Sequence, residues 1–190
     1  CTECHDTHSG EIKMQFCGFC HPGKTDPADI RMAVPDFDGD GNTAEGLSDE
    51  ITTVKEALYA AIQAYAADTD NPIIYATAYP YFFKDTNGNG DVDPGEAIYP
   101  NSYKAFTPRL LRACYNYQYC KKDPGGYAHN GRYILQLLYD SLADLGGDVS
   151  GMIRPFTDPA TAVCGDANHP YPEGDLNMDC AVNFLDVSMM

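Results

Sequence analysis

The sequence predicts a mainly α-helical fold with long loops and little β structure. Three observations carry this. Apolar residues recur at spacings of three and four in three separate stretches, the mark of helices with one buried face. No stretch shows a convincing alternation of apolar and polar residues. Between the periodic stretches the chain is punctuated by 17 Gly and 13 Pro, which interrupt regular elements.

Taken in order, residues 1–35 hold four Cys and three His with little periodicity. This segment needs something other than a core to order it. Residues 36–100 alternate acidic, Gly-rich loops with helical patterning. After Ser48, a candidate N-cap, Ile51, Val54, Leu58, Ile62 and Tyr65 define the first helix. Thr107-Pro108 places a capping hydroxyl before Pro at the first helical position, and Leu110, Leu111, Cys114 and Tyr115 follow. A third helix is expected after Asn130, with Ile134, Leu137, Leu138, Leu142 and Leu145 inward and a stop at Gly146-Gly147. The remainder is loop-rich. The expected organisation is a domain at 1–147 and a tail at 148–190.

Composition narrows the function classes. Hydrophobic residues make up 44% and charged residues 21% of the 190, so the chain is neither disordered nor membrane-spanning in character. No apolar run approaches the roughly 20 residues of a transmembrane helix. Twelve Lys and Arg against 28 Asp and Glu give a net charge of −16, which argues against a nucleic-acid partner. The chain opens on Cys1 without an initiator Met or a hydrophobic leader. A removed signal peptide and a start partway into a longer protein both fit.

Eight Cys fall into Cys1/Cys4, Cys17/Cys20, Cys114/Cys120 and Cys164/Cys180. Cys1-Thr2-Glu3-Cys4-His5 and Cys17-Gly18-Phe19-Cys20-His21 both read C-x-x-C-H, the attachment pattern of c-type haem. Two thiols at this spacing reach the two vinyl groups of one porphyrin, and the adjacent His meets the iron. The same Cys spacing also suits a Cys4 zinc ribbon. A ribbon gives no reason for His directly after both pairs, so two covalent haems are expected. The other four Cys are then expected as disulfides, Cys114–Cys120 and Cys164–Cys180, in an oxidising compartment. A six-residue bridge is awkward within a straight helix, so the second helix is expected to end near Tyr117.

His5 and His21 are the proximal ligands, which leaves His8, His129 and His169 for the distal positions. His8 lies too close to His5 to reach the opposite face of the same haem. It is read as a ligand of the second haem or of a neighbouring copy. His129 stands between two helices, where a loop can aim an imidazole inward. His8 and His129 are the chosen distal pair, ahead of His169, Met14 and Met32, so both irons are expected to be bis-His.

Three acidic loops resemble calcium sites. Asp85, Asn87, Asn89, Asp93 and Glu96 occupy ligand positions of an EF-hand loop, with Gly90 at its turn and the Asp91 carbonyl at position seven. Asp36, Asp38, Asp40 and Asn42 begin the same way, but position twelve is Leu47. Glu45, Asp49 or Glu50 would have to close that site, and Glu50 is the choice. Asp175, Asn177, Asp179, Ala181, Asn183 and Asp186 form the third, with Cys180 where Gly is expected. Two to three Ca²⁺ ions are expected, with a structural role, and three would offset six of the sixteen excess negative charges.

The pairing of C-x-x-C-H motifs with EF-hand-like loops resembles secreted bacterial multihaem c-type cytochromes. So do Phe106-Thr107-Pro108-Arg109-Leu110-Leu111, Tyr115-Asn116-Tyr117-Gln118 and Lys122-Asp123-Pro124-Gly125-Gly126-Tyr127-Ala128-His129-Asn130. The tail resembles dockerin-like ends of secreted proteins. The resemblance implies an extracellular or periplasmic electron carrier, not an enzyme, working with a redox partner protein or an extracellular acceptor. A dihaem peroxidase or reductase, and a calcium-dependent adhesion or scaffold module with structural haem, are the alternatives. Self-association, in its extended form a filament, is expected from the placement of His8 and from the unpartnered Phe184, Leu185 and Val187.

Overall fold

A computed structural model describes residues 1–31 and 33–155. Its elements are α1 (Met14–Cys17), α2 (Leu47–Ala67), β1 (Ile73–Tyr75), β2 (Phe82–Lys84), α3 (Pro108–Lys122) and α4 (Gly126–Asp144). Single 3₁₀ turns lie at Pro27–Asp29 and Tyr99–Asn101. The chain divides into one unit at Cys1–Ile153 and a second at Arg154–Met190, and the account below concerns the first. The architecture is mainly α with long loops, as the periodicity predicts. Among the described residues no helix is long and apolar enough to cross a membrane.

α2 is the centre of the core. Its residues Val54, Leu58 and Ile62 are essentially inaccessible, and α3, α4 and the β hairpin pack around them. The helix is capped by Gly46, two residues before the Ser48 cap read from the sequence. A Cβ on Gly46 would overlap the Ala28 carbonyl of the first 3₁₀ turn, so close backbone approach sets this boundary.

α3 begins as predicted: Thr107 Oγ1 accepts from the Leu110 amide at 3.1 Å, and Pro108 fills the first turn. It then departs from expectation twice. The buried residues are Leu110, Ala113, Cys114, Tyr117 and Cys120, whereas Leu111 and Tyr115 are exposed. Nor does the helix end near Tyr117; it runs on to Lys122. Residues six apart in a continuous helix are separated by about 9 Å of rise and face about 120° apart, which no disulfide spans. Cys114 and Cys120 are accordingly free, buried thiols rather than the expected bridge. Burial raises both, to about 12.

α4 contains a break at Asn130 (φ −157°, ψ 44°), the residue after which a helix was expected. A preceding turn, Gly126 to His129, leads into it. Ile134, Leu138 and Leu142 are buried as anticipated; Leu135 joins them, while Leu137 and Leu145 are half-buried. The two short strands escaped the sequence reading, since three residues are too few to show alternation. They pair antiparallel as Ile73↔Lys84, Ile74↔Phe83 and Tyr75↔Phe82. Their role is positional: β2 delivers Asp85 directly into the second acidic loop.

Two outcomes follow from this packing. Leu58→Ala should cost about 2–5 kcal/mol of unfolding free energy in urea, as large-to-small changes at inaccessible sites do. Cys114 and Cys120 should resist alkylation in the folded protein and react once it is denatured, read by mass spectrometry.

Candidate functional site

Both C-x-x-C-H motifs fold as a single helical turn. The His5 amide donates to the Cys1 carbonyl and the His21 amide to the Cys17 carbonyl, each at 2.8 Å. Residues at i, i+3 and i+4 of such a turn share one side, so each motif presents two thiols and an imidazole together. Cys1, Cys4 and Cys20 are exposed and Cys17 is half-buried, all as free thiols. Among the described residues, the one group of three or more metal-ligating side chains whose ligand atoms lie within 4.8 Å of each other is Asp36, Asp38 and Asp40. The four thiols therefore do not converge as in a zinc ribbon, whose Zn–S bonds of about 2.3 Å bring all the sulfurs together. Haem fits the segment on a second count. Ile12, Phe16 and Phe19 are 43%, 52% and 82% exposed, and among the described residues no hydrophobic side chain before Phe37 is buried. An apolar macrocycle is what this surface lacks.

The His5 ring is oriented by its own loop. Its Nδ1 lies 2.8 Å from the Gly10 carbonyl oxygen. A carbonyl only accepts, so Nδ1 carries the proton and Nε2 keeps its lone pair for a metal. The loop is closed by the bridge between His5 and Ile12, and by Asp6 Oδ1, which accepts from the His8 and Ser9 amides. From the far end of the unit, the turn ahead of Asn130 brings in His129. The His5 and His129 ring centres stand 6.1 Å apart, with planes inclined at 47°. An imidazole nitrogen binds a transition metal at about 2 Å, with the ring centre roughly 1 Å behind it. Two imidazoles trans on one iron are thus about 6 Å apart. Gly125 makes the room: a Cβ there would lie 2.9 Å from His129 Nδ1. His8 is exposed on its loop, while His21 and Met14 are half-buried. Met32, His169, the Cys164–Cys180 pair and the third acidic loop lie outside the described residues.

The first two acidic loops are conformational copies of each other. Asp36 Oδ1 accepts from the Gly39 amide and Oδ2 from the Gly41 amide, both at 2.8 Å. Asp85 Oδ1 and Oδ2 accept from the Gly88 and Gly90 amides, both at 2.7 Å. In each loop the third side chain accepts from the fifth amide: Asp38 from Asp40, Asn87 from Asn89. The fifth accepts from the seventh: Asp40 from Asn42, Asn89 from Asp91. The four glycines have φ between +75° and +89°, which only Gly adopts freely.

The loops differ in how they close. Glu96, buried, accepts from the Thr86 hydroxyl (2.6 Å) and amide (2.7 Å) through Oε1, and from the Asp93 amide (3.0 Å) through Oε2. The Thr86 hydroxyl and these amides hold its carboxyl below the ordinary range. Asp93 Oδ2 meanwhile accepts from the Asn87 and Asn89 side-chain amides at 2.7 and 2.8 Å. In the first loop the tie to the second residue comes from Glu50. Its Oε2 accepts from the Phe37 amide (2.6 Å) and the Asp38 amide (3.2 Å), and its Oε1 pairs with the Arg31 guanidinium. Arg31 also donates to the carbonyls of Ala33, Pro35 and Glu45. Arg31 was not singled out from the sequence; the available signal was that it is the single Arg in the first 108 residues. Among the described residues three buried side-chain oxygens accept no hydrogen bond, and one of them, Glu50 Oε1, is ion-paired with Arg31. Asp38 is 6% exposed, yet its Oδ2 accepts no hydrogen bond, and neither does the buried Oε1 of Glu45. Burial raises the Asp38 carboxyl; burial, then the Asp38 and Asp40 carboxylates, raise that of Glu45.

With this geometry in place, comparison with known proteins becomes informative. The chain is 37% identical over 109 residues to the C-type polyheme cytochrome OmcB of Geobacter sulfurreducens, a match covering 52% of this chain. It is 37% identical over 109 residues, 53% of this chain, to the C-type polyheme cytochrome OmcC of the same organism. The match spans 15% of the length of the first relative and 14% of the second. No family model matches, and no solved structure matches. About half of the chain is thus similar to a portion of multihaem c-type cytochromes.

The buried Arg31–Glu50 pair has a direct test. Glu50→Ala leaves the buried Arg31 charge without its counter-ion and two loop amides without their acceptor. It should lower the unfolding free energy by about 3–5 kcal/mol, measured by chemical denaturation.

Proposed function

We propose that this chain is a c-type cytochrome that carries electrons through two covalently attached haems, with calcium ordering its acidic loops. The observation that carries the reading is the twice-repeated helical-turn motif with His129 set 6.1 Å from His5. Similarity to polyheme cytochromes over about half of the chain supports the same class. Bound haem iron supplies a one-electron couple.

In this reading Cys1 and Cys4 hold the first haem and Cys17 and Cys20 the second. His5 and His21 are the proximal ligands. His129 is the distal ligand opposite His5, and the Gly10 carbonyl, accepting from Nδ1, fixes the tautomer that leaves His5 Nε2 free for the iron. His8 is the candidate distal ligand of the second haem, where a neighbouring copy would contribute if the chain self-associates. Calcium is assigned to Asp36, Asp38, Asp40 and the Asn42 carbonyl with a closing glutamate in the first loop. In the second it is assigned to Asp85, Asn87, Asn89, Asp91, Asp93 and Glu96. Haem attachment and abundant calcium both belong outside the cytoplasm, with a redox protein or an extracellular acceptor as partner.

The test is a pyridine-haemochrome assay followed by spectra of His129→Ala. Two c-type haems per chain are expected, and the variant should turn one of them five-coordinate and high-spin while the other is unchanged. A haem-free chain would end the reading; an unaltered spectrum would remove His129 from it.

A further inference from the structure

We propose that Glu45, and not Glu50, supplies the closing carboxylate of a calcium site formed with Asp36, Asp38 and Asp40. This rests on the calcium reading above and names the ligand that completes it. Ligand atoms of the three aspartates lie within 4.8 Å of one another. A cation among them would relieve their mutual repulsion. The independent sign of that cation is Asp38, more than nine-tenths buried with an oxygen that accepts no hydrogen bond. A carboxylate oxygen removed from water and left without a donor costs free energy unless a cation meets it.

The two candidate glutamates differ in what already occupies them. Glu50 spends Oε2 on two backbone amides and Oε1 on the Arg31 guanidinium, so a second cation beside it would meet Arg31's charge. Glu45 has no such cation. The Asn42 side-chain amide donates to its Oε2 at 3.3 Å, while its Oε1 is buried and unpartnered. Arg31 donates to the Glu45 backbone carbonyl at 3.4 Å, and so helps hold the residue in place. Glu45 Oε1 is thus a buried carboxylate oxygen without a donor, which a Ca²⁺ at the aspartates would meet. Four carboxylates and a loop carbonyl make an oxygen set that a hard divalent cation takes readily.

Calcium titration calorimetry on the chelator-treated, haem-loaded full chain tests this, with thermal melting as a second readout. Glu45→Gln should weaken one calcium site at least tenfold and leave the others unchanged, whereas Asp85→Asn should weaken a different one. The melting temperature of Glu45→Gln should cross that of the wild type. It should be higher in chelator, where a carboxylate with a buried, donor-less oxygen is gone, and lower in calcium, where a ligand is gone. A purely structural role would shift both melts in the same direction and so overturn the proposal. Unchanged affinities in Glu45→Gln would overturn it while leaving the calcium reading standing. A wild-type chain that binds no calcium would overturn both.

Discussion

One buried carboxylate joins the parts of this molecule. Glu50 sits on α2, whose apolar edge forms the helical core, yet none of its own side chain reaches solvent. Through one oxygen it holds two amides of the first acidic loop; through the other it holds Arg31, at the end of the segment that carries both C-x-x-C-H motifs. An ion pair without water is stable only while both partners and their hydrogen bonds persist. The Cys-rich segment, the acidic loop and the core are therefore tied at one point. Loss of either charge leaves the other buried and unpaired.

This tie matters because the residues before the Pro27–Asp29 turn, which itself packs on α2 and α4, have little else to fix them. Their order comes from short backbone turns, from the Asp6 and Gly10 bonds within one loop, and from Arg31. Ile12, Phe16 and Phe19 stand exposed, Phe19 at 82%. A porphyrin bound by thioethers would act here as the core the sequence omits, covering these side chains. The His5–His129 approach would add a second tie, between this segment and the turn ahead of α4. Cofactor binding and folding would then be one event for this region, as they are for small metallodomains.

Charge is the second constraint. A chain with 28 acidic residues against 12 basic ones pays for compactness in self-repulsion, and much of that repulsion is concentrated in the two copied loops. In both, two glycine amides converge on the first aspartate. The first loop goes further and buries Asp38 and part of Glu45 without giving either a full set of donors. In the proposed reading a divalent cation would supply the missing partner.

The chemistry legible in the sequence is the chemistry that closes within a few residues. Each C-x-x-C-H motif is one helical turn, the shared first half of each acidic loop is a run of bonds between residues two to five apart, and the Thr107 cap and the Asn130 break are equally local. Helix periodicity likewise exposed the inward positions of α2, because a long helix averages over many residues. What tertiary structure alone decided is everything that depends on a distant partner. Whether Leu111 or Ala113 faces inward on α3 follows from the surface α2 and the hairpin present, and Tyr117 turned inward where Tyr115 was expected. The fate of Cys114 and Cys120 followed from that packing, which keeps α3 straight through both. The approach of His129 to His5, and the choice of Arg31 as partner for Glu50, join residues far apart in the chain. Such pairings have no local signal, since the free energy that selects them is summed over the whole packed core.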